Sequence, residues 1–160
     1  MTKLFLSLHV LAALVAVGPV TVAASMFPAT LRRALGDPSD GDARTTLRTL
    51  HRICRVYAAV GIAVPLSGLV TAGSLGIMGD GWLIASIVLT TAAVAVLAVL
   101  ILPAQDLALA GTAGSAPPVS TPPAPAPAPA RLAMLTGVFN LLWATVTVLM
   151  IIRPGSTTGA

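Results

Sequence analysis

The chain has 160 residues, 56% of them hydrophobic and only 9% charged, with a mean hydropathy of +0.95 and a formal net charge of +4. A soluble domain carries about 25% charged residues, so nine Lys and Arg against five Asp, with no Glu, are too few to cover a globule in water. A single cysteine rules out an intrachain disulfide framework, and a charge of +4 spread over membrane flanks is no nucleic-acid-binding face.

The expected fold is an all-α membrane protein, a four-transmembrane-helix bundle forming one membrane domain. Four apolar runs approach the roughly 20 residues that a helix needs to cross about 30 Å of hydrocarbon. They cover about Leu4 to Phe27, Ile53 to Met78, Trp82 to Leu102 and Leu132 to Ile152. Pro28, Gly79-Asp80-Gly81, Pro103 and Arg153-Pro154 are the expected breaks.

In the first span, His9 lies roughly 7 Å below the boundary at 1.5 Å per residue. It shares a stripe with Ala12, Ala13, Ala16, Val20 and Ala23, small residues that let helices approach, and so faces the bundle. Val22-Ala23-Ala24 resembles a signal-peptidase site, but cleavage there would leave an arginine-rich connection on the outer side, against the positive-inside rule. Gly18-Pro19 marks a kink.

The connection over residues 28–52 is arginine-rich. From Asp42 to Tyr57, Leu47, Leu50, Ile53, Cys54 and Tyr57 share one helical face, while Arg44, Arg48, Arg52 and Arg55 share another. This predicts an amphipathic helix, capped by Asp40 or Asp42, that begins on the cytoplasmic surface and runs into span two, its arginines meeting anionic headgroups. His51 is expected at the surface of that helix, about 20 Å from His9 along the membrane normal, too far for the two to hold one haem.

In span two, Gly61, Pro65 and Gly68 mark further kinks, and Ser67, Thr71 and Ser74 recur at helical spacing. Span three offers Ser86 and Thr90. The 103–131 connection is Ala/Pro-rich from Gly111 to Ala130, a polyproline-like or disordered cytoplasmic linker. In span four, Thr136, Asn140 and Thr147 form a polar stripe with Gly137 and Ala144 alongside. Asn140, deep in the bilayer, is expected to bond across the bundle. These polar groups read as interhelical glue, with a polar-lined cavity as the alternative.

Orientation is set by the positive charges. Seven arginines lie in or beside the first and third connections, against Lys3 and Arg153 on the other side. That arrangement places both connections in the cytoplasm and both termini outside a cytoplasmic membrane.

No Asp, Glu, Lys or Arg occupies the interior of a span, which argues against ion-coupled transport and voltage sensing. No nucleotide, nucleophile, zinc or phosphate motif is present. His9 is the one intramembrane candidate for a haem or metal ligand. Met78 and Met150, at similar depth, would complete a Cu(I) site with it, against which stands methionine's routine use in packing.

Leu8-His9-Val10-Leu11 followed by Gly18, Leu47-Arg48 and Leu50-His51-Arg52, Pro65 with Gly68-Leu69-Val70-Thr71, and Leu149-Met150-Ile151-Ile152-Arg153-Pro154 together resemble a family of bacterial four-span predicted integral membrane proteins of unknown function, of the domain of unknown function 2269 type. The resemblance covers nearly the whole chain except the proline linker and implies a four-helix bundle with a histidine near the top of span one. It implies no reaction.

The expectation is therefore a non-enzymatic, cofactor-free inner-membrane protein, a structural or accessory subunit beside a membrane-protein partner. The alternatives are a small haem- or copper-handling protein using His9, and a transporter or channel built as a homo-oligomer.

Overall fold

The computed structural model describes residues 2–112 and 128–155. Among them all regular structure is helical: α1 (Thr2–Gly36), α2 (Gly41–Gly61), α3 (Ala63–Leu75), α4 (Gly81–Ala95), a π-helical turn (Val96–Ile101), α5 (Leu102–Thr112) and α6 (Pro129–Ile152). α2 and α3 form one long rod interrupted at Ile62, and α4, the π turn and α5 form another, so four rods are long and apolar enough to cross a membrane. α1 packs along α2 and α3 and against α6, α4 packs on α6, and α5 lies on α2. Most of the Ala/Pro-rich linker, residues 113–127, lies outside the described residues.

Two expected breaks are not breaks. α1 continues through Pro28 to Gly36, and the third rod continues through Pro103 to Thr112. A proline inside a helix lacks the N–H that would satisfy the carbonyl four residues earlier, and its ring crowds that carbonyl. At Pro28 the orphaned carbonyl is that of Ala24, and the Thr136 hydroxyl of α6 donates to it at 3.4 Å. At Pro103 the crowded carbonyl is that of Val99, and it falls in the π turn over Val96–Ile101. The wider winding shifts it off the proline ring, and the rod continues. The expected kink around Gly61 and Pro65 falls at Ile62, whose N–H makes a tighter bond to the Ala59 carbonyl at 3.3 Å.

The position of the hydrocarbon layer is given by the rods themselves. Counting about 20 residues, roughly 30 Å, from Leu4, Ile77, Trp82 and Ile152 at the end that carries the termini reaches Ala24, Tyr57, Leu102 and Leu132. These four residues mark, rod by rod, the level at which a span of that length ends. Ala24 and Leu132 share a buried cluster, Tyr57 and Leu102 flank the next, and Leu102 touches both. Beyond that level, residues 25–36 of α1, the first four turns of α2, and α5 project past the hydrocarbon at the arginine-bearing end.

That projecting part has its own core: Phe27, Leu31, Ala34, Ala43, Leu47, Leu50, Cys54 and Ala108. Its hairpin is closed by Asp40, the N-cap of α2. One carboxylate oxygen accepts the Ala43 amide at 2.9 Å and the other the Arg33 guanidinium at 2.6 Å. The Ala43 amide first, and then Arg33, hold the Asp40 carboxyl below its usual range.

Thr136→Val removes the donor to the Ala24 carbonyl while keeping the side chain's shape. Interhelical hydrogen bonds in membranes contribute about 0.6 kcal/mol, and the loss should be near that value or somewhat above it. Thermal unfolding in mild detergent measures it, and an unchanged midpoint would show that the Pro28 carbonyl does not depend on Thr136.

Candidate functional site

At the end bearing the termini, His9 is buried against α3. Its Nδ1 lies 3.0 Å from Ser67 Oγ, and the Ser67 hydroxyl donates in turn to the Val64 carbonyl at 3.0 Å. A hydroxyl has one proton to give, so the His9 Nδ1–H is the donor to Ser67, and the neutral imidazole carries its lone pair on Nε2. The ring reaches α3 because position 68 is glycine: a Cβ there would come 3.0 Å from His9 Cε1. Along the small-residue stripe that continues from His9, Ala16, Val20 and Ala23 are buried.

The two methionines sit in different surroundings. Met78 lies beyond α3 on an exposed stretch, 54% accessible, while Met150 packs against the Ala72, Trp82 and Leu83 cluster. Among the described residues no group of three or more His, Cys, Asp or Glu could hold a metal ion.

The polar stripes divide into groups that bridge helices and groups that do not. Ser67 bridges α3 to α1. Thr71 and Ser74 donate back into α3, at 2.8 Å each, to the Ser67 and Thr71 carbonyls. On α6, Thr136 reaches Ala24, and the Asn140 amide donates to Ser25 Oγ at 3.2 Å. Thr147 donates to its own helix at the Trp143 carbonyl, 2.9 Å away. Asn140 Oδ1 and Trp143 Nε1 are buried with no hydrogen-bond partner among the described residues.

Near the hydrocarbon edge at the arginine-bearing end lies a cluster that the sequence did not reveal. His51, expected at the surface, is buried. Its Nδ1 lies 3.0 Å from Gln105 Oε1, and the Gln105 amide donates to Cys54 Sγ at 3.7 Å. His51 Nε2 stands 3.0 Å from the Asp106 carboxylate, within ion-pair reach but not aligned as a hydrogen bond. The cluster clasps α5 to α2. It was hidden because Pro103 read as the end of the rod, although Ile101, Gln105 and Ala108 keep a buried helical spacing across that proline.

At the opposite end, the Trp82 indole donates to Asp80 at 3.0 Å, and Arg153 lies over the Trp82 ring, 5.6 Å from its centroid. This couples the start of α4 to the end of α6 at interfacial depth, where tryptophan's amphipathic ring is favoured.

Four membrane-length apolar rods packed together define a multi-pass helical integral membrane protein. Within that class the chain belongs to the family described as Predicted integral membrane protein (DUF2269), which matches residues 3–154. No curated protein and no solved structure matches the chain.

Gly68→Ala should force the His9 ring away from α3 and destabilise the bundle by about 1 kcal/mol, the lower end of overpacking costs. In a His9→Ala background the same substitution should cost little. Thermal unfolding of the four proteins measures the coupling, and equal costs in both backgrounds would refute the close approach as its cause.

Proposed function

We propose that this chain is a non-catalytic, multi-pass accessory subunit of the bacterial cytoplasmic membrane that packs beside a larger membrane protein. Its arginine-bearing end faces the cytoplasm, and both termini lie outside. The observation that carries this reading is how the polar side chains of the spans are used. His9 is engaged by Ser67 and Thr136 by the Ala24 carbonyl, which suits packing rather than turnover. The distribution of arginine between the two ends supports the orientation. The outer face of α6 supports the partner: Gly137, Ala144 and Thr145 are exposed there, and such small residues let another helix approach.

A second reading, a small haem- or copper-handling protein, has one observation in its favour. Ligating histidines almost always donate their other ring N–H to a fixed acceptor, and the Nδ1–Ser67–Val64 chain supplies that arrangement, leaving the Nε2 lone pair.

Purification from the native host in mild detergent separates the two. The accessory reading expects a second membrane protein at fixed stoichiometry and a colourless, metal-free sample. A Soret band or stoichiometric copper that disappears in His9→Ala would establish the second reading instead.

The orientation is tested on its own. A reporter that works only outside the cytoplasm, fused after Ala160, should be active. Activity of a cytoplasm-only reporter at that position would reverse the assignment.

A further inference from the structure

The arginines at the projecting end are not equivalent. Arg33 is taken by Asp40, Arg44 donates to the Pro38 carbonyl, and Arg153, at the far end, lies on Trp82 and donates to the Met150 carbonyl. Arg48, Arg52 and Arg55 are exposed on one flank of α2, away from its buried face of Leu47, Leu50 and Cys54. Among the described residues none of these three meets a carboxylate. Asp106 faces His51, and Asp40 faces Arg33.

Depth divides them further. With the hydrocarbon edge at Tyr57, Arg55 sits about 3 Å above it, Arg52 about 8 Å and Arg48 about 14 Å, from the rise per residue. A bilayer of about 40–45 Å with a core of about 30 Å leaves roughly 5–8 Å of headgroup on each side. Arg55 and Arg52 therefore stand at phosphate level, and Arg48 stands beyond it in water.

The helix surface below them is apolar and open. Val56 and Ala59, four and seven residues after Arg52, and Ile62, seven after Arg55, share their face and are exposed. The small Ala59 leaves a shallow place between the larger side chains.

We propose that Arg52 and Arg55, with the Val56–Ala59–Ile62 surface beneath them, form a seat for an anionic phospholipid. The two guanidinium groups hold its phosphate in charge-assisted, fork-shaped hydrogen bonds. An acyl chain lies along the apolar strip. Two adjacent cations that meet no carboxylate among the described residues, at phosphate depth and above a chain-sized apolar face, match an amphiphile and not a free ion. The seat does not depend on which leaflet it occupies, so it stands or falls apart from the orientation and partner readings.

The test is native mass spectrometry of the full chain released from mixed micelles of equal phosphatidylglycerol and phosphatidylcholine, counting retained lipids. The wild-type chain should retain phosphatidylglycerol preferentially. Arginines near a membrane surface contribute about fivefold each, so R52Q/R55Q should lower that preference by roughly twentyfold or more, to near parity. R48Q and R32Q, the latter at an exposed arginine of α1 eight residues and about 12 Å past Ala24, lie above the phosphate level and should change it less than about twofold. R52K/R55K, which keeps charge and fold but loses the planar fork, should fall between.

No preference in the wild type would overturn the proposal. So would an R48Q or R32Q loss as large as that of R52Q/R55Q, which would mean that charge count alone matters. Full displacement of the lipid by millimolar inorganic phosphate would show a free-anion site instead of a lipid seat.

Discussion

Inside the hydrocarbon there is no water to accept a backbone hydrogen bond, so every carbonyl that a proline orphans must be dealt with by the protein itself. This chain places prolines within or beside its spans and treats them differently. At Pro28 a side chain from another rod, Thr136, reaches the Ala24 carbonyl. At Pro103 the backbone itself changes winding over Val96–Ile101. Near Pro65 the rod is broken at Ile62 and restarted at Ala63. Because the devices at Pro28 and Pro103 work, α1 and the third rod run on past the ends of their spans, and the bundle acquires a projecting end that the spans alone would not provide.

The two ends of the bundle are held by different physics. At the projecting end water drives association. Burying residues such as Phe27, Leu31 and Leu47 contributes about 2 kcal/mol each. Between the spans lipid is as apolar as leucine, and cohesion falls to close packing and hydrogen bonds of about 0.6 kcal/mol apiece. The His9–Ser67 pair belongs to this weaker regime. The His51–Gln105–Cys54 clasp lies between the two, where α5 leaves the bilayer and closes over α2.

Much of this was legible in the chain. The lengths of the apolar runs show four crossings, and the small-residue stripe of α1 shows which side of that helix turns inward. Ala16, Val20 and Ala23 are buried. The alternation of leucine and arginine between Asp42 and Tyr57 marks the amphipathic helix, and Asp40 serves as its cap. Less legible was the course of the helices beyond Pro28 and Pro103. A proline costs a helix a donor and a steric conflict whose resolution depends on atoms that are remote in sequence or on a local change of winding. Local propensity cannot say whether either is available.

The candidate site divides in the same way. Depth along a rod is set by counting residues, so the sequence by itself determined the class of fold, the placement of the positive charges and the level of His9 in the membrane. Azimuth and partner are set by how rods pack. Only the tertiary structure decided that Ser67 and Gly68 meet His9, that His51 is buried under Gln105, and that among the described residues Arg52 and Arg55 meet no carboxylate while Arg33 and Arg44 find acceptors. A hydropathy pattern records how far each residue lies from water. Which side chain it faces is settled by contacts between rods, and those are not local in the chain.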